Sequence, residues 1–292
     1  MSMTGKKALM MVNPRARRGD GSVASATGIL RHAGIEAIEA KPGPDETLSD
    51  LIRQNANKID LVVIGGGDGS LNAAAQGLVD TKLPFGVLPM GTANDFARTM
   101  GMQPDIDAAA RIIAAGKTQK IDLGEANGHY FFNVASIGFS AELAKELTED
   151  AKKKWGVLGY GLVSARLLAG SRLFTATLEH DGTVEKFRTM QIAVGNGRHY
   201  GGGMTVHESA TADDGKLDFY SLEIDHWWRL LALLPSLRKG TQGKWDDVRA
   251  FATKELTLRT SRPRDVNLDG DLKTQTPVTF KVHEKVLDVF VA

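Results

Sequence analysis

The run Ile59-Asp60-Leu61-Val62-Val63-Ile64-Gly65-Gly66-Gly67-Asp68-Gly69-Ser70 constrains this chain more than any other segment. A continuous apolar stretch that ends in glycines reads as a strand buried on both faces, and such strands belong to parallel sheets covered by helices. Leu71, Ala74, Ala75 and Leu78 follow at three-four spacing and predict a helix directly after the glycines. The turn therefore stands at the carboxyl end of a parallel sheet, where backbone N–H groups and a positive helix end converge on an anion.

The neighbouring segments repeat the alternation of strand and helix. Ala8 to Val12 is a short buried strand, and Val23, Ala26, Leu30 and Ala33 line one face of a helix stopped by Gly34. Leu48, Leu51, Ile52 and Ala56 mark a second helix, and Phe85-Gly86-Val87-Leu88 is another buried strand closed by Pro89. The pattern predicts a doubly wound, Rossmann-like α/β domain over residues 1–120. After a helix from Ile106 to Ala115, closed by Gly116, the pattern changes to strands joined by turns such as Asn127-Gly128 and Asp181-Gly182. Residues 121–292 are thus expected to form a β-sandwich, with the last strand returning to the first domain. Two helical insertions interrupt it, one carrying Trp155, Leu158, Leu162, Ala165 and Ala169, the other running through Trp227-Trp228-Arg229-Leu230-Leu231-Ala232-Leu233-Leu234.

Composition narrows the function classes. Lys and Arg number 36 against 35 Asp and Glu, a formal charge of +1, which is not the footprint of a dedicated nucleic-acid binder. With no cysteine, a disulfide framework, a thiolate zinc site and a cysteine nucleophile are excluded. The apolar run near the N-terminus is too short for a signal segment or a spanning helix, so a cytoplasmic protein is expected.

The glycine turn departs from both the dinucleotide fingerprint and the P-loop, since no Gly-x-Gly-x-x-Gly is completed and no Lys follows. Glycines allow close approach to an anion and positive φ, and an acid among them makes sense beside Mg²⁺, so Asp68 points to metal–nucleotide chemistry. A plain βα turn is the other reading, which a single glycine would satisfy. The next strand ends in Pro89-Met90-Gly91-Thr92-Ala93-Asn94-Asp95-Phe96-Ala97-Arg98, a second small-residue turn whose Thr92, Asn94 and Asp95 serve either a ligand or the cap of the next helix.

These two motifs together resemble the lipid kinases with a diacylglycerol-kinase catalytic domain, a family that includes diacylglycerol, sphingosine and ceramide kinases. The resemblance extends to Val12-Asn13-Pro14, Gly195-Asn196-Gly197 with Gly201-Gly202-Gly203, Asp214-Gly215-Lys216-Leu217-Asp218 and Leu268-Asp269-Gly270-Asp271, and so spans nearly the whole chain. NAD kinases share the first motif but not the Gly-Thr-x-Asn-Asp-Phe-Ala-Arg context. The resemblance implies an ATP site formed by Asn13, Gly66, Gly67, Asp68, Gly69, Ser70, Gly91, Thr92 and Asn94, with Asp68 and Asp95 facing Mg²⁺ and phosphate. It also implies a lipid acceptor in the cleft between the domains, a structural Mg²⁺ near Asp214, a homodimer, and a place at the membrane surface.

The family's catalytic base is a Glu, and Asp271 occupies that position here. The shorter carboxylate must reach the acceptor hydroxyl by a small backbone adjustment or through one water. Leu268 to Asp271 suits a hairpin turn equally well, and Asp213-Asp214-Gly215 a β-turn. Ser70 stands where Thr is common, and Ala73 where many members carry Glu. These departures keep a catalytically silent nucleotide-binding regulator in play beside the kinase, and an NAD-kinase-like enzyme with a soluble acceptor is the other alternative. Arg15, Arg17 and Arg18 are either a solvated loop or partners for phosphates, and Lys152-Lys153-Lys154 precedes the Trp155 helix. The Trp227-Trp228 helix, followed by Arg238, Lys239 and Lys244, suits either core packing or interfacial docking. His199, beside the glycine run, is either a surface histidine or close to substrate.

Overall fold

The computed structural model describes residues 3–13, 20–146, 172–224 and 226–292. Arg15, Arg17, Arg18, Lys152, Lys153, Lys154 and the Trp155 helix lie outside these residues. The first half alternates as its pattern requires, with one strand, β2, that the sequence pattern does not mark: β1 (Lys7–Val12), α1 (Asp20–His32), β2 (Glu36–Glu39), α2 (Leu48–Asn55), β3 (Leu61–Gly66), α3 (Asp68–Thr81) and β4 (Phe85–Pro89). The strands are parallel in the order β2-β1-β3-β4. α2 begins with a reciprocal cap, in which the Thr47 hydroxyl accepts from Asp50 N (3.1 Å) and the Asp50 carboxylate accepts from Thr47 N (3.1 Å). Short helices α4 (Asp95–Thr99) and α5 (Ile106–Ala115) follow, α5 ending at Gly116 with φ +71°.

The second half is mostly antiparallel: β5 (Thr118–Ala126), β6 (His129–Phe131), β7 (Val134–Gly138), α6 (Phe139–Glu146), β8 (Phe174–His180), β9 (Thr183–Thr189) and β10 (Gln191–Gly195). Then come β11 (His199–Tyr200), β12 (Met204–Thr205), β13 (Leu217–Leu222), α7 (Trp227–Lys239), β14 (Val248–Thr253), β15 (Glu255–Thr260), β16 (Asp265–Leu268), β17 (Asp271–Gln275) and β18 (Val278–Phe290). The turns Asn127-Gly128, Asp181-Gly182 and Asp269-Gly270 all have positive φ at both residues, which matches the twist of the hairpins they close.

One strand joins the halves. β18 pairs in parallel with β4 at Val289 and Phe85, and antiparallel with β5 and β15, so a single ten-stranded sheet runs from β2 to β9 among the described residues. β5 passes residue 120 without a break. β18 and β5 shift register between His283 and Leu287, where Lys285 takes φ +52°. Buried Asp122 holds that irregularity, its two carboxylate oxygens accepting from Lys285 N (2.7 Å) and Gly215 N (2.6 Å). A second sheet, β14-β13-β10-β7-β16-β17, stacks on the antiparallel part of the first.

The core lies in four layers set by these faces. Leu9, Val62, Ile64, Leu71 and Leu78 pack under α2 and α3, while Met10, Val63, Leu30 and Ile113 pack under α1 and α5. Between the two sheets, Ile137, Ile192, Phe219, Leu256, Leu258 and Phe280 fill a sandwich interior. On the far face of the second sheet, Tyr220, Leu222 and Val248 meet Leu230, Leu233 and Leu237 of α7.

Candidate active site

The carboxyl ends of β3 and β4 bring the two glycine motifs together. β3 runs through Gly66, α3 starts at Asp68, and Gly67 alone makes the turn. Positive φ, expected for these glycines from their number, is not found at Gly65, Gly66, Gly67, Gly69 or Gly91. Space explains all of them but Gly69, which has nothing within 4 Å of a Cβ. A Cβ on Gly91 would lie 2.5 Å from Gly67 Cα, and one on Gly66 would lie 2.3 Å from Ser70 Oγ. The two loops touch backbone to backbone, and no side chain larger than hydrogen fits between them.

The polar groups of this edge are mostly spoken for by local structure. Asn13 Nδ2 donates to Ser70 Oγ (3.4 Å), which joins the end of β1 to the start of α3. Asn94, at φ +50°, closes its own loop: its Oδ1 accepts from Gly91 N (2.9 Å) and its Nδ2 donates to Gly91 O (3.0 Å). Thr92 stands exposed in the same loop. The N-cap of α3 is Gly67, which supplies no side-chain acceptor, and around this helix start lies a small recess lined by Gly66, Gly67, Asp68, Val87, Asn94 and Phe96.

Asp68 reaches across to the second motif. Its Oδ2 accepts from Asp95 N (3.1 Å) and its Oδ1 from Phe96 N (3.0 Å), so it caps the start of α4. Phe96 is the apolar anchor of that helix, with its ring 5.9 Å from Phe85 and 5.1 Å from Phe132. Asp95 is buried, and both its oxygens face Gly202 N (2.9 and 3.2 Å) in the turn between β11 and β12. Burial pushes the Asp95 carboxyl up to about 6; the Gly202 N–H opposes the rise, Asp68 adds to it and Arg98 opposes it. His199 packs on the same helix, its N–H donating to Thr99 Oγ1 (3.1 Å), and burial with the Arg198 and Arg98 charges lowers its ring pKa.

The hairpin Leu268 to Asp271 splits its two acids. Asp269 is half-buried and fully engaged: Oδ1 accepts from Asn133 N (3.0 Å) and Val134 N (3.0 Å), and Oδ2 from Phe132 N (2.7 Å) and Asn72 Nδ2 (3.3 Å). Burial raises it to about 6, against the pull of those backbone donors and with Asp68 adding to the rise. Asp271, two residues on, is exposed and lies 3.4 Å from Lys273 Nζ. Asn133 ties the acids together, with its amide Nδ2 donating to Asp68 Oδ1 (3.2 Å). Reading the sequence assigned no role to Asp269, Asn133, Asn72 or the Gly202 N–H, although Asp269 and Gly202 stand in motifs that carry the resemblance. Asn72 carried a signal, because it stands one helical turn after Asp68 on an otherwise small and apolar helix. Asn133 carried none, since its partners are distant in the chain.

Among the described residues no three His, Cys, Asp or Glu side chains are grouped to hold a metal ion. Mg²⁺ that arrives with nucleotide phosphates needs only one or two carboxylates, because water and phosphate complete its shell. The oxygens of Asp68 and Asp95 meet that need, and beside Asp68 the Asn133 Oδ1 is buried with no partner. Asp214 lies away from this edge, in the turn before β13, where it accepts from Lys216 N (3.0 Å). Burial raises its pKa, and the Asp122 and Asp213 charges add to the rise.

The comparisons with known proteins agree with the two-part fold. Residues 7–126 match the family model of the diacylglycerol kinase catalytic domain, and residues 133–291 that of the YegS C-terminal NAD kinase beta sandwich-like domain. A diacylglycerol kinase of Mycobacterium tuberculosis is 31% identical over 97% of this chain and 94% of its own length. A Pseudomonas syringae protein named "Probable lipid kinase YegS-like" is 33% identical over 78% of this chain and 74% of its own. The crystal structure of a diacylglycerol kinase from Bacillus anthracis superposes with a TM-score of 0.79 at 25% identity, covering 98% of this chain and 97% of that one. The chain belongs to the family of lipid kinases that join a diacylglycerol kinase catalytic domain to a YegS-type C-terminal β-sandwich.

Proposed function

We propose that this protein transfers the γ-phosphate of Mg·ATP to the hydroxyl of a lipid, diacylglycerol or a close relative. The observation that carries the reading is the backbone contact of the Gly67 and Gly91 loops at adjacent strand ends, with Asp68 spanning from one loop to the helix that starts the other. Loops without side chains let phosphates approach backbone N–H groups, and the start of α3 adds its positive helix end. Mg²⁺, when bound through Asp68 and Asp95, supplies neutralisation of the phosphate charge.

The chain's own groups do the rest by positioning. Asp68 fixes α4 and with it Asp95, and Gly202 N–H fixes the Asp95 carboxylate from the opposite half. Of the two acids on the Leu268 to Asp271 hairpin, Asp269 is committed to four N–H donors and serves as the hairpin's anchor. Asp271 remains accessible, and it is the group proposed to accept the lipid hydroxyl proton.

The test is transfer of labelled γ-phosphate from Mg·ATP into a panel of diacylglycerol, monoacylglycerol, phosphatidylglycerol, sphingoid bases and polyprenols, with NAD in a parallel incubation. Label in one lipid class is expected. Label in NAD alone would move the protein to the NAD-kinase side, and ATP binding with no label in any acceptor would make it a silent regulator.

A further inference from the structure

α7 has an apolar face that the fold does not use. Leu230, Leu233 and Leu237 point into the core on the second sheet. Trp228, Leu231 and Leu234, at three-residue spacing on the other side, are 55%, 53% and 40% exposed. Single exposed leucines are ordinary, but a Trp and two Leu in one stripe make a patch, and the stripe continues through Pro235 to Arg238.

The charges of this helix are one-sided. It carries Arg229, Arg238 and Lys239 and no acid. Arg229 is paired with Asp247. Arg238 and Lys239 form no ion pair among the described residues and sit at the exposed end of the stripe. At 13 residues α7 is too short to cross a bilayer, and no described helix is long and apolar enough to do so. An aromatic and aliphatic stripe that ends in unpaired cations matches the boundary of an anionic leaflet, where rings and leucines enter the acyl layer and cations meet phosphates. A second copy of the helix offers no acid of α7 to receive Arg238 and Lys239, whichever way the two helices run.

The helix also lies close to the candidate site by connection. Arg238 O accepts from Thr205 Oγ1 (3.0 Å) on β12, and β12 pairs with β11 across the turn whose Gly202 N–H holds Asp95. We propose that α7 is a membrane-docking helix that lies flat on anionic lipid through Trp228, Leu231 and Leu234, with Arg238 and Lys239 on the headgroups. The proposal deepens the lipid-kinase reading by assigning the surface through which an enzyme of that kind meets its bilayer.

The test is vesicle sedimentation of the full chain, without ATP, on phosphatidylcholine vesicles with and without phosphatidylglycerol. The wild type should pellet with the anionic vesicles. The variant W228Q/L231Q/L234Q should lose at least about tenfold in partitioning while its thermal midpoint stays within a few degrees. R238Q/K239Q should lose binding to anionic vesicles only, and salt should mimic it. Equal pelleting of the wild type and the apolar variant overturns the proposal. So does a wild type that fails to pellet, including one that sediments as a dimer which the same triple variant makes monomeric. Turnover with a water-soluble short-chain acceptor, run in parallel, keeps the two readings apart. Vesicle binding without transfer to any acceptor defeats the kinase alone, and transfer with unchanged vesicle binding in the variants defeats the docking helix alone.

Discussion

The glycine turns at the ends of β3 and β4 differ in kind from those at the tips of the β5–β6, β8–β9 and β16–β17 hairpins. Gly67 and Gly91 have ordinary φ and no room for a Cβ, whereas Gly128, Gly182 and Gly270 have φ of +84°, +75° and +104° and nothing within 4 Å of the missing Cβ. In the parallel half glycine answers a steric demand, two loops pressed together at an edge open to a ligand. In the antiparallel half it answers a conformational one, the left-handed turn that a twisted hairpin requires. The same letter in the sequence therefore carries two physical meanings, and substitutions separate them.

The largest effect is expected where the two regions meet, at the tip of the β16–β17 hairpin. Asp269→Ala leaves four half-buried N–H donors without their acceptor and should cost about 3 kcal/mol of stability by denaturant unfolding. Asp271→Ala should leave stability within about 0.5 kcal/mol and lower phosphate transfer by roughly 10²- to 10⁴-fold. If the two exchange their effects, the assignment of anchor and proton acceptor is reversed. Gly91→Ala comes next. Its Cβ would meet backbone rather than a flexible side chain, so about 3 kcal/mol and ATP binding should be lost together.

A pH dependence tests the charge side of the same edge. Asp95 is raised from the usual 3.8 to about 6, so the native state binds its proton more tightly than the unfolded chain. Its contribution to stability is full below the unfolded value and is lost as pH rises through about 6. Asp95→Asn should flatten the slope of the thermal midpoint in that window. Nucleotide binding should run the other way and weaken as pH falls below about 6, because the ionised carboxylate is the form that serves Mg²⁺. An Asp95 carboxylate that titrates near 4 by NMR would remove both expectations.

The smallest effects sharpen the comparison most directly. Gly270→Ala meets no neighbour but must hold φ +104°, and should cost about 1–2 kcal/mol with ATP affinity unchanged. Gly69→Ala meets neither obstacle, lying in α3 with open space beside it, and should stabilise the fold by about 0.5 kcal/mol. If phosphate occupies that open space, the same substitution weakens ATP binding; equal affinity would place the nucleotide elsewhere.

Much of this was legible before any coordinates. The apolar runs of β1, β3 and β4, the helical spacing of α2, α3 and α5, and the Asn-Gly and Asp-Gly hairpin turns are local patterns, and the structure forms each of them. The meeting of the two glycine motifs also followed, because β3 and β4 are adjacent parallel strands and their carboxyl ends must share an edge. The partners of the acids did not follow. Asp68 caps a helix that begins 27 residues later, and Asp269 receives N–H groups from a segment more than 130 residues earlier.

The sequence by itself determined the buried strands and main helices of the parallel half, the change to hairpin connections and the residues gathered at the edge, because each rests on short-range periodicity or turn chemistry, whereas short elements such as β2, α4 and β16 carry too little pattern to be read. Only the tertiary structure decided which aspartate is anchored and which is exposed, why Gly66, Gly67 and Gly91 are glycines, and that α7 keeps a second apolar face. Those outcomes depend on which backbone groups and surfaces distant segments bring into contact, and chain spacing does not encode that.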